Sequence, residues 1–149
     1  MASTGANGGI VGPDNDPTTS EKITTFTESG NFTQSPTNSP AEIDYLVIAG
    51  GGGAGTDRGG GGGAGGYKTS FPGGTKISSV PYSSTPVVVG AGGGGNSNGN
   101  DSTLLSITST AGGKGGTWTN SGTAGGSGGG GVGRAVSYTH MTLQTIYSV

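Results

Sequence analysis

Cysteine is absent from this sequence of 149 residues, and charged residues and long apolar runs are scarce. Without cysteine, the chain forms no disulfide and supplies no thiolate for catalysis or metal binding. Only 9% of the residues are charged and the net charge is -2, so the basic face that nucleic-acid binding requires is missing. No apolar run reaches the ~18 residues of a membrane span, and the first residues lack the pattern of a secretory signal. We therefore expect neither a nucleic-acid partner nor membrane insertion.

Large apolar residues are also few. Leu, Ile, Val and Phe together make up about 15% of the chain, which is less than an ordinary hydrophobic core needs. Glycine instead supplies 37 residues and proline 7. Disordered low-complexity chains have this composition, so disorder is one interpretation. The other is an ordered fold that something besides side-chain packing holds together.

Glycine blocks alternate with short β-prone runs along the sequence. The blocks cover residues 50–66, 90–95, 112–116 and 122–133. The β-prone runs lie at residues 43–49, 67–71, 86–89 and 103–109. No window has the apolar spacing of a helix, and glycine is a poor helix former. We therefore predict an all-β fold without significant helix.

An additional hairpin is predicted upstream of the first glycine block. Residues 23–27 and 31–33 are β-prone and flank Glu28, Ser29 and Gly30, which favour a turn.

The glycine blocks predict left-handed segments of the polyproline II type. They lack the triplet register of collagen, whereas the polyproline II helix has three residues per turn and leaves its backbone groups free to bond to neighbours. Residues 50–55 and 59–66 are expected to run antiparallel around a turn at residues 56–58. Ordering each residue costs roughly 1–2 kcal/mol and each net hydrogen bond returns about 0.5–1.5 kcal/mol. We therefore expect the strands to add apolar burial, or further copies of the chain to add hydrogen bonds in a homo-oligomer.

The order and spacing of these elements between residues 21 and 133 resemble a known family. Stretches such as EIDYLVIAGGGGAG, GGGGGAGGYKTSFPGGT and PVVVGAGGGG are similar to the glycine-rich domain of phage tail-fibre and virion-associated proteins, which is common in marine viral sequences. The resemblance implies a β-rich domain with polyglycine segments and a structural or host-recognition role on a virion, which is extracellular when assembled. It also implies other virion or tail proteins as partners, and a host cell-surface glycan or protein as a possible ligand.

The resemblance divides the chain into three predicted parts. Residues 1–20 are predicted to be a flexible or docking arm, and residues 21–133 the glycine-rich domain. Residues 134–149 depart from the family pattern, because VSYTHMTLQT within them resembles translated sequencing-adapter read-through at the ends of metagenomic gene predictions. We interpret this segment as a non-native tail, with a closing strand as the alternative. The single histidine, His140, lies in it and is given no role.

One glycine pattern mimics a nucleotide-binding motif. Gly50, Gly52 and Gly55 follow a predicted strand and match the pattern G-x-G-x-x-G. In dinucleotide-binding proteins this motif begins a helix, and an acidic residue follows about 20 positions later. Here more glycines follow, and no Asp or Glu occurs between Asp57 and Asp101. We therefore predict no dinucleotide and no other cofactor.

Other catalytic patterns are equally weak. Glu42 and Asp44 share one face of a strand and are interpreted as a solvated surface. Asp14 and Asp16 lie between prolines without the distal glutamate of a calcium loop, and they favour a turn. No nucleophile has a base within a recognisable motif. We expect no enzyme, no catalytic residue and no metal site.

Polar turns between the glycine blocks supply the candidate receptor-binding residues, since binding residues concentrate on loops held by a rigid scaffold. The candidates are Asp57, Arg58, Asn96, Asn98, Asn100, Asp101, Trp118 and Asn120. Trp118 has two interpretations, an exposed contact residue or a cap over the small core. Tyr67, Phe71 and Tyr82 are predicted to be core or strand-face aromatics.

The sequence thus favours a virion-associated structural or adhesin-like phage protein, related to tail fibres, that contributes to host-surface attachment. One alternative is a secreted surface-binding protein of the ice-binding polyglycine type, although its threonines show no fixed period. The other is a largely disordered low-complexity protein.

Overall fold

The computed structural model describes residues 23–33, 42–78, 81 and 83–132. The predicted arm at residues 1–20, the segment at residues 134–149 and Tyr82 lie outside the described residues. The described part contains no helix. Its six strands are β1 (Gly30–Phe32), β2 (Leu46–Ile48), β3 (Tyr67–Thr69), β4 (Thr85–Val88), β5 (Ser102–Leu104) and β6 (Ile107–Ser109). The all-β prediction is confirmed.

The strands form two antiparallel sheets that face each other. One sheet has four strands in the order β1-β4-β5-β6, and the other pairs β2 with β3. β2 lies against β5 and β6, and β3 lies against β6. The burial pattern alternates along β2 and β4, so Val47 and Val87 point inward while Leu46 and Val88 point outward.

Two strand predictions are wrong. The predicted hairpin at residues 23–33 is not formed: residues 23–27 contain no strand, and β1 pairs with β4 in the register Phe32 to Thr85. Pairing with β4 makes β1 part of a four-stranded sheet. A hairpin closed by a turn at residues 28–30 would have only two strands. The run at residues 103–109 is two strands, since the chain reverses after β5 with Leu105 at φ 52°. Tight turns with positive φ are usually predicted from glycine, asparagine or aspartate, so leucine at this position gives no signal of a turn.

The first two glycine segments bond to each other at every third residue. The N–H groups of Ala49, Gly52 and Gly55 donate to the carbonyls of Gly66, Gly63 and Gly60, at 3.0, 2.8 and 2.9 Å. A spacing of three residues is the repeat of the polyproline II helix. The partners run in opposite directions along the chain, so the predicted antiparallel arrangement of residues 50–55 and 59–66 is confirmed.

Residues 111–116 form the centre of the bundle. They run parallel to residues 50–55, with the N–H groups of Gly112 and Gly115 donating to Gly50 and Gly53. They run antiparallel to residues 59–66 and bond on another side to residues 122–130. Ala111, Gly112, Gly113, Gly115 and Gly116 are all buried. The middle of this bundle is therefore backbone surrounded by backbone.

The close approach of these segments explains why they are glycine. A Cβ built on Gly52 would lie within 3.0 Å of the backbone of Gly113, and one built on Gly62 would meet the backbone of Gly52 in the same way. Among the described glycines only Gly73 has a positive φ, at 76°. Most of these positions therefore require glycine because it lacks a side chain, and not because of its backbone freedom.

The side-chain core is small. Its members within the described residues are Val47, Ala49, Val87, Ala111 and Val132. The larger apolar side chains lie outside, and Tyr67 on β3 is 64% exposed. Phe71 follows the end of β3 in a turn and is 71% exposed, so its prediction as a core or strand-face aromatic is wrong.

Candidate binding surface

The strands lie at one end of the bundle and a group of turns lies at the other. β2, β4 and β6 each continue into a glycine segment, and the three segments run parallel. The N–H groups of Gly93 and Asn96 donate to the carbonyls of Gly51 and Ala54, both at 2.8 Å. These bonds have the same three-residue spacing as those from Gly112 and Gly115 to residues 50–55. The segments end in turns at residues 56–58, 95–96 and 118–119. We call these turns the turn end and the six strands the sheet end.

Two predicted candidates meet at the turn end. The Cζ of Arg58 lies 5.6 Å from the centroid of the Trp118 ring, within the range of a cation–π contact. Trp118 is 43% exposed, so it is a surface residue and does not cap the strand core at the opposite end. Asp57 joins both residues in lining a shallow cleft of about 290 Å³. The turn end therefore offers a carboxylate, a guanidinium and an aromatic ring within one small area.

The guanidinium of Arg58 has no acidic partner in the described residues. The salt bridge formed within them joins Lys76 Nζ to Asp44 Oδ2 at 3.3 Å, next to β2 at the sheet end. Asp44 also accepts a hydrogen bond from the buried Ser70 hydroxyl at 2.8 Å. Asp44 is thus bonded to Ser70 and Lys76. Glu42 and Asp44 are both exposed, as the interpretation of a solvated surface expects.

The turn end also holds unusual backbone conformations. Asp57, Arg58 and Asn96 have φ of 53°, 60° and 61°. Asparagine and aspartate tolerate this left-handed region, but arginine has no local hydrogen bond that favours it. The only other non-glycine residue with positive φ in the described part is Leu105, in the β5–β6 turn.

Three further candidates lie along the side of the bundle. Asn98 Oδ1 accepts hydrogen bonds from the Lys114 N–H at 2.9 Å and from the Thr123 hydroxyl at 2.6 Å. Asp101 Oδ1 accepts one from the Ala111 N–H at 2.7 Å. These side chains bond to N–H groups of the central segment, a structural role that was not predicted from the sequence. Polar residues directly beside a glycine block are the signal for it.

Asn100 also takes part in the bundle, through its backbone. Its carbonyl accepts from the Gly50 N–H at 3.0 Å, and its own N–H donates to Ala91 at 2.9 Å. A role of Asn98, Asn100 or Asp101 in recognition stays a prediction, and their positions give it no support.

Asn120 closes the turn that presents Trp118. Its backbone pairs with Thr117 in both directions, at 2.8 and 3.1 Å. Its side-chain amide donates to the hydroxyls of Thr117 at 3.3 Å and Thr119 at 3.1 Å. Asn120 therefore acts on the candidate surface by holding the turn that carries Trp118.

The described residues contain no group of three or more acidic, histidine or cysteine side chains placed to hold a metal ion. The same part of the chain has no helix of the length and apolarity that crossing a bilayer requires.

A comparison with protein families gave one finding. Residues 25–144 match the model of a family described as a glycine-rich domain. The matched range covers all six strands and the bundle, and it continues into the C-terminal segment that begins at residue 134. Comparisons with curated proteins and with solved structures gave no match.

Proposed function

The chain belongs to the glycine-rich domain family, and from that premise we propose that it is a structural attachment protein that binds a surface ligand through its turn end. It is not an enzyme in this proposal. We place it on a phage virion, in or near a tail fibre, where it contributes to host-surface attachment. The virion location is supported by the resemblance of its strand and glycine order to tail-fibre domains.

The contact between Arg58 and Trp118 is the observation that carries the proposal. Tryptophan and arginine are the residues most enriched in binding hot spots, because each supplies a large contact area and directional donors. Both lie at the surface, on two separate turns that the bundle brings together. Attachment through this surface needs no chemistry beyond contact and hydrogen bonding.

The bundle supports the proposal because it is a rigid base for these turns. Each turn is flanked by glycine segments whose backbone groups bond to neighbours on several sides. Close packing leaves no space for a Cβ at most of these glycines. A turn anchored in this way holds its side chains in one geometry, which lowers the entropy lost on binding.

The opposite end supports association with another protein. Leu46 and Ile48 on β2 are each 56% exposed, and Tyr67 of β3 pairs with Ile48 in the sheet register. These side chains form an apolar outer face on the two-stranded sheet. We propose that the sheet end contacts other proteins of the virion and leaves the turn end free for the ligand.

Binding of the full chain to cells tests this proposal. Fluorescently labelled protein is titrated onto a panel of bacterial cells, and Trp118→Ala is compared with wild type. We expect a loss of about 1 kcal/mol or more in binding free energy with an unchanged melting temperature, since Trp118 lies outside the strand core.

Tyr67→Ala is the matched control, because it removes an exposed aromatic ring at the sheet end. It should leave cell binding unchanged. Equal losses for the two variants, or unfolding of Trp118→Ala, would count against attachment through the turn end. Thermal hysteresis of the wild-type protein would instead support the ice-binding alternative.

A further inference from the structure

The turn-end cleft places two exposed charged side chains, Asp57 and Arg58, beside the ring of Trp118. Arg58 has five N–H donors in a planar fork. No carboxylate in the described residues forms a salt bridge with it, and its guanidinium lies over the ring of Trp118. A guanidinium that lies over an aromatic ring is held in orientation and can bind a planar anion in bidentate fashion.

The backbone at Arg58 indicates that this orientation serves binding. Asp57 and Arg58 are consecutive residues with positive φ, the pattern of a type I′ turn, in which glycine is strongly preferred at the second position. Arginine at φ 60° is therefore less favourable for folding than glycine would be at this position. Residues with strained backbones cluster at ligand-binding sites, where the unusual backbone conformation orients a side chain that contacts the ligand.

Asp57 and Trp118 narrow the chemistry of the ligand. Asp57 lines the same cleft as Arg58 and accepts hydrogen bonds, so it suits a ligand that also has hydroxyl groups. Its negative charge disfavours a doubly charged phosphate more than a singly charged carboxylate. The exposed part of the Trp118 ring suits the C–H face of a pyranose, because the ring face is electron-rich.

The cleft is shallow and open, and three side chains line it. A site of this shape contacts one exposed unit of a ligand and does not enclose the ligand.

From these observations we infer that the turn-end cleft binds a carboxylate-bearing saccharide, with the carboxylate on Arg58, ring hydroxyls on Asp57 and the sugar face on Trp118. The inference rests on the proposed function and adds the ligand class to it. A uronic acid or a sialic acid unit would supply the required groups.

Matched acidic and neutral saccharides test the inference on the full chain. Oligosaccharides of galacturonate, glucuronate and sialic acid are titrated by calorimetry beside their methyl esters, which keep the rings and remove the charge. At least one acid should bind about tenfold or more tighter than its ester, because hydrogen bonds to a charged group contribute about 1.5–3 kcal/mol. Equal binding of every acid and ester, or no binding of any acid, would overturn the inference.

Three substitutions of Arg58 separate binding from folding. Arg58→Gln should abolish the preference for the acid, and Arg58→Lys should restore only part of it, since lysine lacks the bidentate fork. Arg58→Gly should also lose the acid, but with a melting temperature equal to or above that of wild type, because glycine accepts positive φ without strain. A lower melting temperature for Arg58→Gly would overturn the inference, since arginine would then be required by the fold.

The cell-binding assay keeps the two proposals distinguishable. If Trp118→Ala weakens cell binding while acids and esters bind the wild type equally, the attachment function stands and the carboxylate inference fails. If Trp118→Ala leaves cell binding unchanged, the attachment function itself fails.

Discussion

The sheet end and the polyglycine bundle bury their backbones in different ways. In the sheets, hydrogen bonds run to one or two neighbouring strands and side chains such as Val47 and Val87 fill the space between the layers. In the bundle there are almost no side chains, and the segment at residues 111–116 bonds to segments on several sides. One chain thus combines an ordinary, very small apolar core with a core made of peptide groups.

The two regions should respond to mutation in opposite ways. A sheet with a side-chain core is damaged when atoms are removed, because a cavity is left. A bundle of touching backbones is damaged when atoms are added, because each Cβ displaces a neighbouring peptide. Hydrogen bonds and packing in the bundle depend on the same close approach, so one added side chain disturbs both.

The largest effect is expected from adding a side chain inside the bundle. Gly52→Val should destabilise the protein by about 3 kcal/mol, because its Cβ would collide with the backbone of Gly113 in the central segment. Urea denaturation measures the change.

Gly94→Val is the matched control for this substitution, since nothing lies within 4 Å of a Cβ at Gly94. It should change stability by less than about 0.5 kcal/mol. Equal stability of the Gly52 variant and wild type would reject the packed bundle.

A smaller effect is expected from removing atoms at the sheet end. Val47→Ala should cost about 2 kcal/mol, because Val47 is one of the few buried apolar side chains and its loss leaves a cavity between the sheets. The neighbouring Leu46→Ala removes more atoms, but from a side chain that is 56% exposed. If Leu46→Ala were the more destabilising in thermal unfolding, the assignment of the sheet core would be wrong.

The smallest effect is expected where a side chain supports the bundle from outside. Asp101→Ala should cost about 1 kcal/mol, because it leaves the N–H of the buried Ala111 without its acceptor. Asp101→Asn keeps an oxygen at the same position and should retain most of the stability. Chemical denaturation of both variants at one pH distinguishes loss of the acceptor from loss of the charge, and matched losses would assign the effect to the charge.

Particular residues show which pairings between segments could be predicted from the sequence. Residues 50–55 and 59–66 could be paired in advance, because the short polar turn at residues 56–58 leaves them no partner closer than each other. The pairing of β1 with β4 could not, since the partner lies more than 50 residues away and competes with a local hairpin that looks equally β-prone. The turn at Leu105 could not either, because its residue type argues against positive φ.

The candidate site was predictable in its parts and not in its arrangement. Arg58 and Trp118 were identifiable as exposed polar-turn and aromatic candidates, but their contact depends on which glycine segments are neighbours. Asn98 and Asp101 have the same residue types as a recognition loop, and only their bonds to Lys114 and Ala111 show that they serve the bundle.

The sequence by itself determined that no ordinary core was possible, that helices were excluded and that glycine segments would alternate with strands. The tertiary structure alone decided that residues 111–116 lie at the centre and that the turns at residues 56–58 and 118–119 meet. The physical reason is that polyglycine segments bond through identical peptide groups, which contain no information about the partner. Their neighbours are therefore chosen by the strands and turns that connect them, and those connections act only once the whole chain has folded.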